Sequence, residues 1–185
     1  MKKDRLFPNL RFGRITLTLV FALLMAATSW AATPVKYLDE KGLEQTVTDY
    51  ILLTGTESAD DAVFQKGGWY VVQEDVEYDG NFAFGTNNKV DVNLILADGA
   101  KLTVRNSKPG FQNLAIYAQS KGENMGQFDI NSESYAIFLN ENFVLNGGVL
   151  NATGGSHGIF TYRGDVIING GVLKVNGRQF GIGKS

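Results

Sequence analysis

Asn146-Gly-Gly-Val-Leu150 and Asn169-Gly-Gly-Val-Leu173 are the same five residues written twice, 23 positions apart. Their surroundings repeat with them. Phe143-Val-Leu145 answers to Val166-Ile-Ile168 at the same shift, and Tyr135-Ala-Ile137, His157-Gly-Ile159 and Phe180-Gly-Ile182 step by 22 and then 23. Each period holds three short strand-like pieces separated by Gly or Asn, and no helical periodicity of useful length interrupts them. A repeat of this length with three strands fits one turn of a stacked solenoid and no compact sandwich. The fold expected is all-β, a right-handed parallel β-helix with rungs of about 22–23 residues.

Strand alternation then assigns the faces. Ile137, Ile159 and Ile182 are expected inside, with Phe143 and Leu145, Val166 and Ile168, Leu150 and Ala152, and Leu173 and Val175; Asn151 and Lys174 point out. Because stacked rungs lie about 4.8 Å apart, these residues form apolar ladders that no single rung buries alone. Asn146 and Asn169 fall at a corner. There Asn tolerates the left-handed region and its amide both donates to and accepts from the next one, a turn ladder expected on the inside of the bend. The Gly-Gly pairs relieve the crowding that follows.

Further out, Val92-Asn-Leu-Ile-Leu-Ala-Asp-Gly-Ala-Lys-Leu-Thr-Val104 reads as an earlier rung, with Asp98 two periods, 48 residues, before Asn146. Leu114-Ala-Ile-Tyr-Ala-Gln-Ser120 lies between, followed by a polar insertion, Lys121 to Gly126, of the kind that solenoids place in loops. Residues 32–67 mix polar stretches with short apolar clusters and read as a lead-in or cap. The β-helix domain is expected over residues 68–185.

The first 31 residues have a different character. Lys2, Lys3, Arg5, Arg11 and Arg14 face one acid, Asp4, and an apolar run of 13 residues from Ile15 to Ala27 follows. Small residues at Ser29 and Ala31 suit cleavage after Ala31, which makes residues 1–31 a signal peptide rather than an anchor. The apolar run falls short of the roughly 18–20 residues that span a bilayer, so no membrane span is expected in the mature chain. Export, to the extracellular space or the envelope surface, is the expected destination.

Beyond Ala31 the chain carries 12 basic and 18 acidic side chains, a net charge of −6, and it has no cysteine. That balance disfavours nucleic acid as a partner. It leaves no thiol for a disulfide or a lipid anchor.

The segments Val92 to Val104 and Leu114 to Ser120, with the units Leu145-Asn-Gly-Gly-Val-Leu-Asn-Ala152 and Ile168-Asn-Gly-Gly-Val-Leu-Lys-Val175 and the turn Phe180-Gly-Ile-Gly183, resemble Gly-rich repeat bacterial surface proteins of the carbohydrate-binding-domain-containing type. The resemblance covers about Trp69 to Ser185. It implies a surface location and the β-helix, and points to polysaccharide or another surface protein as partner. Ala118 departs from the pattern, where a Gly precedes Gln119 in such proteins. Relatives of this type run on further, so the domain is expected to be truncated, with an open solenoid edge prone to pairing or aggregation.

No catalytic constellation is legible. Lyases and glycosidases need convergent acids or a base with a cation on one face, whereas Asp129, Glu133, Glu141, Arg163, Asp165 and Lys174 read as scattered solvated charges. His157, the sole histidine, occupies the slot of Tyr135 and Phe180 and reads as a member of an aromatic stack. No cofactor is expected. Calcium is the one ion with a sequence rationale, from Tyr78-Asp-Gly-Asn81, Asp91 and Asp98; zinc lacks ligands. The candidate ligand-binding residues are Phe138 and Phe160, one period of 22 apart and outward of Ile137 and Ile159. Exposed in a row, they form an apolar patch for sugar faces or another chain. The function expected is a non-catalytic surface module, structural or adhesive, that binds polysaccharide; a carbohydrate-binding module proper and a fragment of a polysaccharide-degrading enzyme are the alternatives. The leader reading is checked by mass spectrometry of the protein recovered outside cells expressing the whole chain: its first residue is expected to be Ala32.

Overall fold

The structure, a computed structural model, describes residues 33–58, 64–80, 82–84 and 90–185. The leader lies outside them, and residues 34–185 form one unit. Among the described residues there is no helix.

Three parallel sheets wrap a common interior. Sheet 1 stacks β3 (Ile51–Leu52), β4 (Gly68–Val72), β6 (Asp91–Leu96), β9 (Asn113–Ala118), β12 (Phe143–Leu145) and β15 (Val166–Ile168). Sheet 2 stacks β5 (Val76–Asp79), β7 (Lys101–Arg105), β10 (Gln127–Ser132), β13 (Val149–Gly154) and β16 (Val172–Gly177). Sheet 3 stacks β8 (Gly110–Phe111), β11 (Tyr135–Leu139), β14 (His157–Thr161) and β17 (Phe180–Lys184). From β6 onward the chain visits sheets 1, 2 and 3 in turn and returns to sheet 1, and the whole is a parallel β-solenoid of about 5 turns.

The register is the one the repeats require. Ile137 lies over Ile159 and Ile159 over Ile182; Leu145 pairs with Ile168 and Leu150 with Leu173. Leu102, Phe128 and Leu150 form one column, so Asp98 does stand two turns before Asn146, although the turns are 26 and 22 residues long. The polar insertion lies in the wide corner of residues 119–126, between β9 and β10. Ile51 and Leu52 pair in parallel with Tyr70 and Val71, so the sheet stacking starts before residue 68, inside the expected lead-in.

Burial follows the ladders. Leu102, Ile116, Phe128, Ile137, Leu145, Leu150, Ala152 and Ile159 are all fully buried. In the last described turn the same columns open to solvent, with Ile168 48% and Ile182 47% exposed and Leu173 and Val175 half-buried. Toward β3 and β5 the interior is filled differently. Phe64, Phe82 and Phe84 meet edge to face at 4.9–5.6 Å, and Phe84 reaches Tyr70 at 5.0 Å and Phe111 at 5.1 Å. Burial pushes the Tyr70 hydroxyl up to about 12. Its proton goes to the Lys66 carbonyl at 2.6 Å.

Outside sheet 1 lies an antiparallel hairpin of β1 (Val35–Leu38) and β2 (Glu44–Val47). Val35 joins Val71 and Ile95 beneath it, and the rings of Tyr37, Trp69 and Tyr117 close over them at 4.7–5.1 Å. Residues 35–47 are therefore a clasp on the outer sheet face.

The Asn-Gly-Gly corners correct one expectation in detail. The left-handed residues are the second glycines, Gly148 (φ 87) and Gly171 (φ 82), not the asparagines. At Gly171 a Cβ would stand 2.4 Å from the Gly148 carbonyl, so the turn below fills the space a side chain needs. The Asn ladder does form, Asn169 Nδ2 donating to Asn146 Oδ1 at 2.7 Å, but on the exposed side of the bend. The inside is taken by Leu145 and Leu150, which are fully buried.

Because Leu150 is fully buried and Leu173 only half-buried, the same truncation has different costs in one column. Leu150→Ala is expected to lower the unfolding free energy by about 3 kcal/mol. Leu173→Ala is expected to cost well under that in parallel urea titrations.

Candidate functional site

Two outer faces of the solenoid carry organised side chains. On sheet 3, strict alternation is broken: Ala136 and Ile137 are both fully buried. That local turn of the backbone brings Tyr135 to the same outer surface as Phe138, with the rings 5.7 Å apart. The next turn repeats the pairing with His157, itself buried, beside Phe160 at 5.2 Å. Phe138 and Phe160 stack at 5.8 Å with planes 15° apart, as in-register pairing of these two residues dictates. Beside them runs a second column, Tyr135 to His157 at 5.2 Å and His157 to Phe180 at 5.6 Å. Cross-contacts of 5.2 Å from Phe160 to Tyr135 and to His157 join the columns into one strip.

Phe138 and Phe160 are half-buried, and Phe180 is 61% exposed. Gly183 holds the place of a third ring above Phe160. A Cβ there would come within 2.5 Å of His157 Cδ2 and 3.1 Å of Phe160 Cδ2, so the rings lean over the glycine. His157 is the stacked ring its position suggested. Its Nδ1 lies 2.7 Å from Ser156 Oγ, which reaches Gln179 Oε1 at 3.3 Å. Both bonds form when Nδ1–H donates to the serine and the serine hydroxyl donates to the glutamine.

The outer face of sheet 2 is polar. Asp129 is not a solvated loop charge but the hub of a strand face, lying over Thr103 and under Asn151, with Lys174 one turn further. Its carboxylate accepts from Lys101 Nζ at 2.7 Å, Gln127 Nε2 at 2.6 Å and Asn151 Nδ2 at 2.5 Å. Partial burial alone would raise this carboxyl; the hydrogen bonds from Lys101, Asn151 and Gln127 outweigh it and hold the group below its usual range. Asn151 Oδ1, turned the other way, is buried with no partner among the described residues. Glu77, below Thr103 on this same column, pairs with Arg105 of the neighbouring one.

Where sheet 2 bends into sheet 3, a groove of about 660 Å³ runs along the stack, lined by Asn131, Glu133, Thr153, Asn176 and Arg178 with Gly154 and Gly155. A second hollow of about 280 Å³ adjoins it through Asn131 and Thr153 and reaches Lys101, Asp129 and Asn151. The remaining sequence candidates lie elsewhere. Asp165 pairs with Lys184 at 2.8 Å, and Arg163 sits 5.3 Å over the Tyr162 ring. Asn146 and Asn169 face a hollow of about 280 Å³ beneath the hairpin turn.

The acids suggested for calcium are spent on neighbouring turns. Asp79 accepts from Asn106 Nδ2 at 2.7 Å, Asp91 from Asn113 Nδ2 at 2.8 Å and Asp98 from Ser120 Oγ at 2.9 Å. Asn81 lies outside the described residues. Among the described residues no three His, Cys, Asp or Glu side chains gather.

What the sequence reading missed is the polar column and the groove. The signal was present, since Asp129, Asn151 and Lys174 are spaced 22 and 23 apart, but divergent side chains hide a column that identical ones would reveal. Comparison of the chain with protein-family models, curated proteins and solved structures gives no match. Of the resemblance to Gly-rich repeat surface proteins, the solenoid shape alone is on view.

The depressed Asp129 carboxyl contributes stability that is complete above the unfolded-state value, about 3.9, and is lost as pH falls through the lower folded value. Wild type is therefore expected to lose more stability than Asp129→Asn when acidified from pH 5 to below about 4, read as urea midpoints at each pH. Equal losses would remove Asp129 from the account.

Proposed function

We propose that the chain is an exported β-solenoid binding module that holds polysaccharide against its outer surface. The observation that carries this reading is the strip of Tyr135, Phe138, His157, Phe160 and Phe180, joined by ring contacts of 5.2–5.8 Å on the outside of sheet 3. Aromatic faces carry a negative quadrupole that attracts polarised C–H groups, and the flat face of a pyranose presents a set of these. The strip also rises along the stack, which suits a chain-like ligand better than a single small molecule.

Other features favour the same reading. The basic and apolar leader directs the chain to where polysaccharides are met, and the net charge of −6 beyond Ala31 disfavours polyphosphate partners. A polar groove adjoining the strip adds hydrogen-bonding capacity that an apolar protein-docking patch lacks. The role is retention of a polymer, adhesive or structural in effect, with no chemistry performed on it.

The test is binding of the purified protein to a glycan array, with Phe138→Ala and Phe160→Ala beside it. Wild type is expected to retain one class of polysaccharide, and each variant to weaken it by about tenfold, the worth of one aromatic contact of about 1–1.5 kcal/mol. Absence of binding across the array would leave a purely structural module. Release of unsaturated or reducing sugars from any bound polymer would make the chain an enzyme.

A further inference from the structure

The groove between sheets 2 and 3 has a composition that selects its occupant. Asn131, Thr153 and Asn176 stand in register on three successive turns, giving amide, hydroxyl and amide along one wall. Just past them the chain carries Glu133, Gly155 and Arg178 on the same three turns. Gly155 lies directly on the Glu133 backbone, where a Cβ would stand 2.0 Å from the Glu133 carbonyl. The middle turn therefore presents no side chain. A notch is left between Glu133 below and Arg178 above, whose backbones stand two strand spacings or about 10 Å apart. Among the described residues neither Glu133 nor Arg178 has an ion-pair or hydrogen-bond partner.

Resting on the polysaccharide reading above, we infer that this notch is a subsite for one sugar ring of a neutral glycan whose chain runs along the groove beside the aromatic strip. A sugar's hydroxyls both donate and accept. A carboxylate takes two such protons, a guanidinium supplies a fork of donors, and the two amides do either. An acidic sugar would gain Arg178 and be repelled by Glu133 and by the net charge of −6 beyond Ala31. An apolar ligand would leave every wall group unpaired. Tyr135, His157 and Phe180 each follow two residues after Glu133, Gly155 and Arg178, so one polymer meets polar notch and aromatic column on the same turns.

Calorimetric titration of the whole protein with cellohexaose, xylohexaose and mannohexaose as neutral probes, and a galacturonate hexamer as the acidic one, tests this. The variants are Thr153→Tyr, which fills the groove from an exposed strand position where an aromatic is favoured, and the double substitution Glu133→Ala with Arg178→Ala. Both are expected to melt with wild type and to weaken the preferred neutral probe by about tenfold or more, with little dependence on salt. If Phe160→Ala loses binding while both groove variants bind as wild type does, the notch is not a subsite and the polysaccharide reading stands. Tighter binding of the galacturonate hexamer than of any neutral probe overturns the neutral class. Failure of wild type to bind any of the neutral probes overturns the notch, and absence of binding across the glycan array overturns the polysaccharide reading with it.

Discussion

A parallel stack in register sets every side chain about 4.8 Å from its counterpart one turn away. Whatever stands at a position must therefore be compatible with near-copies of itself above and below, and this condition reaches every part of the molecule. Inside, it is met by aliphatic columns such as Leu102, Phe128, Leu150 and Leu173, where contact of like with like is what burial rewards. Outside, it forbids columns of one charge. The sequence Glu77, Thr103, Asp129, Asn151, Lys174 climbs sheet 2 without setting two acids or two bases on adjacent turns. Asn169 over Asn146 is the polar solution, since one amide donates and the next accepts.

The same condition explains why the two sides of the stack are filled by different means. Toward β15, β16 and β17 the turns are nearly uniform, and identical shapes nest without special fillers. Toward β3 and β5 the turns differ in length, and uniform ladders would leave voids. Phe64, Phe82 and Phe84 take up that space with edge-to-face contacts that do not depend on the repeat. Tyr78 belongs to this region too. Burial and then Glu57 push its hydroxyl far above the usual range, while Glu57 also accepts from the Thr54 amide and the Gly55 amide. A loop without regular structure is thus pinned to the stack by one carboxylate.

Legibility tracked periodicity. Ile137, Ile159, Leu145 and Leu150 were readable as interior because the period displays them several times in the same setting. Phe64, Phe82 and Phe84 were not, because their roles come from irregular geometry that no spacing announces. Asp129 fell between these cases: its column has the right period, but Thr103, Asp129, Asn151 and Lys174 share no residue type, and pattern matching sees identity more readily than complementarity. The Asn-Gly-Gly corner was legible as a bend and misread in detail. Backbone crowding by the turn below, not residue preference, decides that Gly148 and Gly171 take the left-handed conformation.

The aromatic strip shows how a small breach of periodicity shapes a surface. Were β11 and β14 strictly alternating, Tyr135 and His157 would share the interior with Ile137 and Ile159, and Phe138 and Phe160 would form one isolated column. Burial of Ala136 beside Ile137 rotates the start of the strand outward and doubles the column. Gly158 and Gly181 hold the same place as Ala136 on the following turns, and the small size of all three is what lets two successive residues face the core. Gly183 then ends the Phe138–Phe160 column while Phe180 extends the other. The aromatic surface therefore shifts sideways as it climbs, toward the bend that carries Arg178, and that displacement draws the aromatic and polar parts of the outer surface together.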